Sequence, residues 1–224
     1  MPYYPIFVDL QDQNVLVVGG GEVAERKIKN LLTHGCRISV ASPHLSPYLK
    51  ELVDRSELRL IDADSLDESL GSVFMVIAAT DDPALNSRIA SKAKARGILV
   101  NSVDQPRDCT FIMPSVVRAG ALQIAISTGG KSPALAKKIR GELEGTFGPE
   151  YASFLELLGL LRRELLSKGK PSPDNKVIFQ RLVDSPLVDL IKERDIEGVK
   201  RTLSSLLGEE LLVEGIVNRV FSGM

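Results

Sequence analysis

Val15-Leu16-Val17-Val18-Gly19-Gly20-Gly21-Glu22-Val23-Ala24 decides the fold. A short apolar, β-branched run gives way to three glycines. After them the apolar residues Val23, Ala24, Ile28, Leu31 and Leu32 recur at helical spacing, with Gly35 as a C-terminal stop. This is strand, turn and helix, and the turn matches Gly-x-Gly-x-x-Ala. Gly19 serves the tight turn, Gly21 lets a pyrophosphate approach the backbone, and Ala24 lets the helix pack closely on the strand. Phosphate oxygens would then face free amides at the positive end of the helix dipole. Gly19, Gly21, Glu22 and Val23 are therefore the first predicted cofactor contacts; the alternative is a tight glycine turn that binds nothing.

Outward from this unit, residues 37–41, 58–61, 73–79 and 98–103 read as further strands, alternating with helical patterns such as 84–96, which ends at Gly97. Alternation of this kind is the signature of a parallel sheet covered by crossover helices, an α/β fold of Rossmann-like type. The pattern leaves the strand order open. Beyond Asp104 two β-like runs, 111–118 and 122–127, are joined by Ala119-Gly120-Ala121. They read as a hairpin that either extends the sheet or builds a dimer surface. From Pro133 onward the periodicity is helical over 134–144, 150–166, 177–194 and 196–221, the last broken near Gly208, with a loop over 168–175.

The chain has 224 residues, 44% of them hydrophobic, with 28 Lys plus Arg against 29 Asp plus Glu. That is the composition of a soluble globular protein. A net charge of −1 gives no electrostatic reason to expect nucleic acid or an anionic membrane. No window reaches the roughly 18 apolar residues of a membrane span, and residues 1–10 lack the features of a secretory leader, so the expected location is cytoplasmic. Cys36 and Cys109 make neither a disulfide framework nor a zinc pattern, and His34 and His44 form no metal-ligand cluster. No metal ligand is predicted. Tyr-x-x-x-Lys and Gly-x-Ser-x-Gly are both absent.

The fingerprint's usual acid at the end of the second strand is missing: the sequence there is Val40-Ala41-Ser42-Pro43-His44. No carboxylate is placed to take both ribose hydroxyls of NAD, and no arginine to hold the 2′-phosphate of NADP. NAD is the expected cofactor, with Ser42 or backbone groups near Pro43 and His44 replacing the acid. Thr80, in Ala78-Ala79-Thr80-Asp81-Asp82, ends the fourth strand on the ligand-binding edge; helix capping by Asp81 or Asp82 ahead of Pro83 is the competing role of this turn. Asp104, in Asn101-Ser102-Val103-Asp104, lies at the end of the fifth strand, where a base is needed if hydride loss is coupled to proton loss. In Ser127-Thr128-Gly129-Gly130-Lys131-Ser132-Pro133, Ser132 can cap the following helix while amides and Lys131 remain for an anion.

Taken in order, these motifs, with Pro5-Ile6-Phe7, Glu25-Arg26-Lys27 and Phe111-Ile112-Met113-Pro114, resemble the precorrin-2 dehydrogenase/sirohydrochlorin ferrochelatase family, the N-terminal module of sirohaem synthases. The resemblance is strong over about residues 2 to 150 and covers the helical remainder only in character. It implies an NAD-binding Rossmann-like domain over 1–112, a dimerisation segment over 113–148 and a helical C-terminal domain over 149–224, in a homodimer. It implies NAD-dependent oxidation of precorrin-2 to sirohydrochlorin, with Fe²⁺ insertion to sirohaem as a second activity, and it makes Asp104 the catalytic residue. Thr128 matches a position near the tetrapyrrole, which places Thr128, Gly129 and Lys131 among the substrate contacts. The substrate's eight carboxylates give such local cations a purpose despite the neutral overall charge. A nucleotide-sensing regulatory domain is the alternative, but such domains usually keep the ribose-binding acid missing here.

Overall fold

The structure is a computed structural model and describes residues 3–103, 105–167, 173–208 and 213–222. The chain forms two compact units, Met1–Met113 and Pro114–Met224.

The first unit runs β1 (Asn14–Val18), α1 (Glu22–Leu32), β2 (Arg37–Ala41), α2 (Pro47–Asp54), β3 (Arg59–Ile61), α3 (Leu66–Ser69), β4 (Met75–Ala78), α4 (Pro83–Ala95) and β5 (Leu99–Ser102). All five strands are parallel, in the order β3-β2-β1-β4-β5. The continuous apolar reading of β1 has a direct cause: the strand is central and buried on both faces. Val15 and Val17 join Ala24, Ile28 and Leu31 on one face, while Leu16 and Val18 join Ile89, Ala90 and Ala93 on the other. The chain winds from β1 outward to β3, then returns to β4 on the opposite side of β1. The order reverses between β1 and β4, and the glycine turn opens at that switch point, where α/β sheets bind ligands.

Two short helices escaped the sequence reading. In α2 the sequence carries the signal, since Ser46 Oγ accepts from Leu49 N at 3.3 Å and Pro47 occupies the first turn. α3 is a single turn of four residues, too short to show a period.

The second unit contains β6 (Ser115–Ala119) and β7 (Leu122–Ile126), then α5 (Pro133–Thr146), α6 (Glu150–Ser167), α7 (Pro173–Val183), α8 (Leu187–Lys192), α9 (Ile196–Leu207) and α10 (Val213–Ser222). β6 and β7 pair antiparallel as a separate two-stranded sheet and do not extend the larger one. Leu157, Leu161, Leu182, Leu187, Ile191, Val199 and Leu203 form a helical core. The single helix expected over 177–194 is two helices, because Pro186 stands at the N-cap of α8 and Pro cannot donate to a continuing helix. Of the loop expected over 168–175, residues 168–172 lie outside the described residues, and Pro173 already opens α7. The break near Gly208 is present: that residue has φ +78° and ends α9.

Candidate functional site

The three glycines of the β1–α1 turn do different things. Gly19 has φ +120°, and a Cβ there would lie 2.1 Å from the Ala79 carbonyl oxygen, so only glycine fits. A Cβ on Gly20 would lie 2.0 Å from the His44 carbonyl oxygen and 2.7 Å from Ser42 Oγ. A Cβ on Gly21 would meet nothing within 4 Å. Gly21 is the N-cap of α1 and supplies no side-chain cap, so the first amides of the helix are left without one. That is the cradle a pyrophosphate requires. Glu22 is exposed and Val23 half-buried in the same turn.

The loop after β2 is sealed onto this turn. Ser42 Oγ donates to the His44 carbonyl at 2.7 Å and accepts from His44 N at 3.3 Å, closing a tight bend in which Pro43 and His44 are exposed. Ser46 N donates to the Gly20 carbonyl at 2.8 Å, and Ser46 Oγ donates to Glu25 Oε2 at 2.6 Å. Glu25 thus reaches from α1 to the loop that lacks its own acid. Its hydrogen bond from Lys29, at 2.5 Å, and then that from Ser46 hold its carboxyl below the usual range.

Across the switch point, Thr80 follows β4 beside Gly19. Its hydroxyl donates to Asn86 Oδ1 at 2.8 Å and accepts from Asp82 N at 3.2 Å. Asp82, not Asp81, caps α4, accepting from Ala84 N at 2.8 Å and Leu85 N at 3.2 Å. Gly19, Gly21, Ser42, Pro43, His44 and Thr80 therefore gather along one carboxyl edge of the sheet. Gly20, Glu25 and Asn86 belong to the same construction and were missed. Gly20 lies between the two fingerprint glycines, and Asn86 gives no signal apart from its distance beyond the strand.

Asp104 lies outside the described residues. The residues flanking it are tied down: Val103 N donates to the Ala78 carbonyl at 2.9 Å, and Gln105 Oε1 accepts from Ser87 Oγ at 2.5 Å. Thr128, Gly129 and Lys131 are in the second unit, between β7 and α5. Thr128 Oγ1 donates to the Ser132 carbonyl and accepts from Ser132 N, both at 3.1 Å, while Ser132 Oγ caps α5 at Leu135 N. Gly129 and Gly130 have φ +62° and +80°, and the Lys131 residue is exposed. Capping by Ser132 is realised, and Lys131 closes the turn from within, its N donating to the Thr128 carbonyl at 3.1 Å. Among the described residues there is no group of three His, Cys, Asp or Glu able to hold a metal ion, and no helix long and apolar enough to cross a membrane.

A doubly wound sheet with an open glycine cradle at its switch point defines a dinucleotide-binding protein. Residues 6–115 match the NAD_binding_7 model of NAD(P)-binding domains, and residues 120–146 match the central region of sirohaem biosynthesis proteins. The chain is 34% identical over 224 residues to a sirohaem synthase of Escherichia coli, covering all of this chain and 49% of the relative. Against the sirohaem synthase of Mannheimia succiniciproducens it is 33% identical over 210 residues, which is 94% of this chain and 44% of the relative. The chain thus spans about half the length of these curated relatives. A solved structure of SirC, a precorrin-2 dehydrogenase, superposes with a TM-score of 0.74 at 28% identity, covering 91% of this chain and 98% of that one. These matches support the resemblance of the chain to the precorrin-2 dehydrogenase/sirohydrochlorin ferrochelatase family.

Proposed function

We propose that this protein oxidises precorrin-2 to sirohydrochlorin with NAD⁺, yielding NADH and a proton. The observation that carries the reading is the open backbone cradle at Gly21, in a fold that superposes on a precorrin-2 dehydrogenase over nearly its full length. Bound NAD would supply the hydride acceptor. The first amides of α1 would hold its pyrophosphate, and the Ser42–His44 bend and Glu25 would serve its ribose in place of a strand-end acid. Thr80 fixes the edge beside β4.

Loss of a hydride from the tetrapyrrole must be matched by loss of a proton, and Asp104 is the acceptor we propose. Fe²⁺ insertion into sirohydrochlorin also displaces pyrrole protons, so the same carboxylate would serve both steps, with Fe²⁺ as a substrate. Thr128, Gly129 and Lys131 would seat carboxylates of the substrate, with residues 113–148 joining two copies into a homodimer. The proposed location is the cytoplasm. None of the relatives named above is a nucleotide-sensing regulatory domain.

The test is anaerobic incubation with precorrin-2 and NAD⁺, following chromophore and NADH together, for wild type and Asp104→Ala. General-base assistance is typically worth about 10² to 10⁴-fold. The variant is expected to lose at least that lower factor while still binding NAD, and near-normal oxidation would remove Asp104 from the mechanism. Adding Fe²⁺ to the wild-type product tests insertion directly; oxidation without insertion would reduce the function to dehydrogenation. Sedimentation of the full chain tests the dimer.

A further inference from the structure

Two lysines of α1 have contrasting surroundings. Lys29 is paired with Glu25 at 2.5 Å and sits over the Tyr48 ring at 4.2 Å from its centroid. Lys27 is half-buried, and its Nζ meets the Met113 thioether at 3.0 Å. No ion pair joins it to a carboxylate among the described residues. Burial and the like charge of Arg26 both lower its pKa, and only the neighbouring Cys109 acts the other way. A thioether is a weak acceptor. A partly desolvated ammonium facing sulfur is poorly compensated, and an arriving anion relieves that cost.

The position of Lys27 indicates which anion. Met113 and Phe111 pack on the α1 face of the sheet. Asn101 Nδ2, on β5, donates to the Phe111 carbonyl at 3.1 Å, and Cys109 Sγ accepts from Ser102 N at 3.2 Å. Lys27 therefore stands beside the segment that folds back over the carboxyl end of β5. Gly21 lies six residues earlier, about 9 Å along the helix axis at 1.5 Å per residue. Its contact with Met113, on the segment tied to Asn101 and Ser102, sets the cation apart from the pyrophosphate cradle and on the β5 side.

We propose that Lys27 anchors one carboxylate of the substrate at the end of β5. The identity of that carboxylate as one of precorrin-2 rests on the function proposed above. A charge-assisted hydrogen bond of about 1.5–3 kcal/mol corresponds to roughly 10- to 100-fold in affinity.

Full-length wild type, Lys27→Gln and Lys27→Arg would be compared for precorrin-2 KM, kcat and calorimetric NAD affinity. Lys27→Gln is expected to raise KM about 10- to 100-fold, with kcat and NAD affinity close to wild type, and Lys27→Arg to recover most of the loss. An unchanged KM, a loss confined to kcat, weakened NAD binding, or an arginine variant as impaired as the glutamine one would overturn the proposal. A wild type unable to oxidise precorrin-2 would defeat the functional reading separately. The anchor would then be judged by absorbance titration with sirohydrochlorin, where equal binding by wild type and Lys27→Gln overturns it.

Discussion

Asn86, 3% exposed, grips Thr80 through three hydrogen bonds: its Oδ1 accepts from Thr80 N and Thr80 Oγ1, and its Nδ2 donates to the Thr80 carbonyl. One buried amide on α4 thereby fixes the turn leaving β4, and with it the wall of the cofactor edge opposite the β2 loop. Asn86→Ala leaves those backbone groups without their partner. A destabilisation of about 1–3 kcal/mol in urea unfolding is expected, together with weaker NAD binding where the variant is still folded. Asn86→Asp keeps the acceptor but sets a buried carboxylate oxygen against the Thr80 carbonyl, so it should destabilise at least as much as Asn86→Ala. Unchanged NAD affinity in a folded Asn86→Ala protein would reduce this residue to a packing role.

The glycine turn predicts opposite outcomes at neighbouring positions. Gly19→Ala forces a side chain into positive φ and onto the Ala79 carbonyl, and Gly20→Ala drives one into the His44 carbonyl. Both should lower the melting temperature substantially. Gly21→Asp meets open space, so it should fold normally while placing bulk and negative charge where the pyrophosphate approaches. Calorimetry showing wild-type NAD affinity in that variant would remove the cofactor from this turn.

Preference for NAD over NADP is expected to be modest. Ser42 is occupied by its own bend and Pro43 and His44 are exposed, while Glu25, tied to this loop through Ser46, is already engaged by Lys29. Steady-state comparison of the two cofactors checks this, and discrimination of many thousand-fold would mean that another residue makes a selective contact at the ribose 2′ position.

Lys27 also leaves a signature in stability. Its folded pKa lies below the unfolded value, so between the two the unfolded chain binds more protons and stability rises with pH. Below both values the cost of the half-buried charge is fully present. Lys27→Met removes that charge and keeps the stem, and should stabilise the ligand-free protein at pH 7 by about 0.5 kcal/mol, the scale of peripheral substitutions. The advantage should shrink as pH climbs toward the ordinary lysine value of 10.5. Denaturant titrations at several pH values would reveal a gap of the wrong sign or one that fails to narrow.

The sheet was readable because β1 and β4 are buried on both faces and cannot be anything but continuous apolar runs, and because the turns between elements carry glycine or proline. Strand order was not, since the hydrophobic pattern of β4 is the same whether it pairs with β1 or β3. Ser185-Pro186 held the break between α7 and α8 in plain view, but the apolar period on either side masks it. In the site, Gly19 and Gly21 follow from the backbone demands of a phosphate turn. Gly20, Asn86 and Lys27 depend on groups 24, 6 and 86 residues away in sequence, His44, Thr80 and Met113 respectively, and no local pattern encodes such distances.

The bend closed by Ser42 restricts how cofactor preference could be re-engineered or could drift. In many nucleotide-binding sheets a single exchange at the end of the second strand is enough to install an acid or a base. Here that position is a structural rivet: its hydroxyl holds the His44 carbonyl that in turn covers Gly20. An aspartate at 42 would surrender the rivet in gaining the charge, so a switch of specificity must begin at exposed Pro43 or His44, or arrive with a compensating change in the glycine turn.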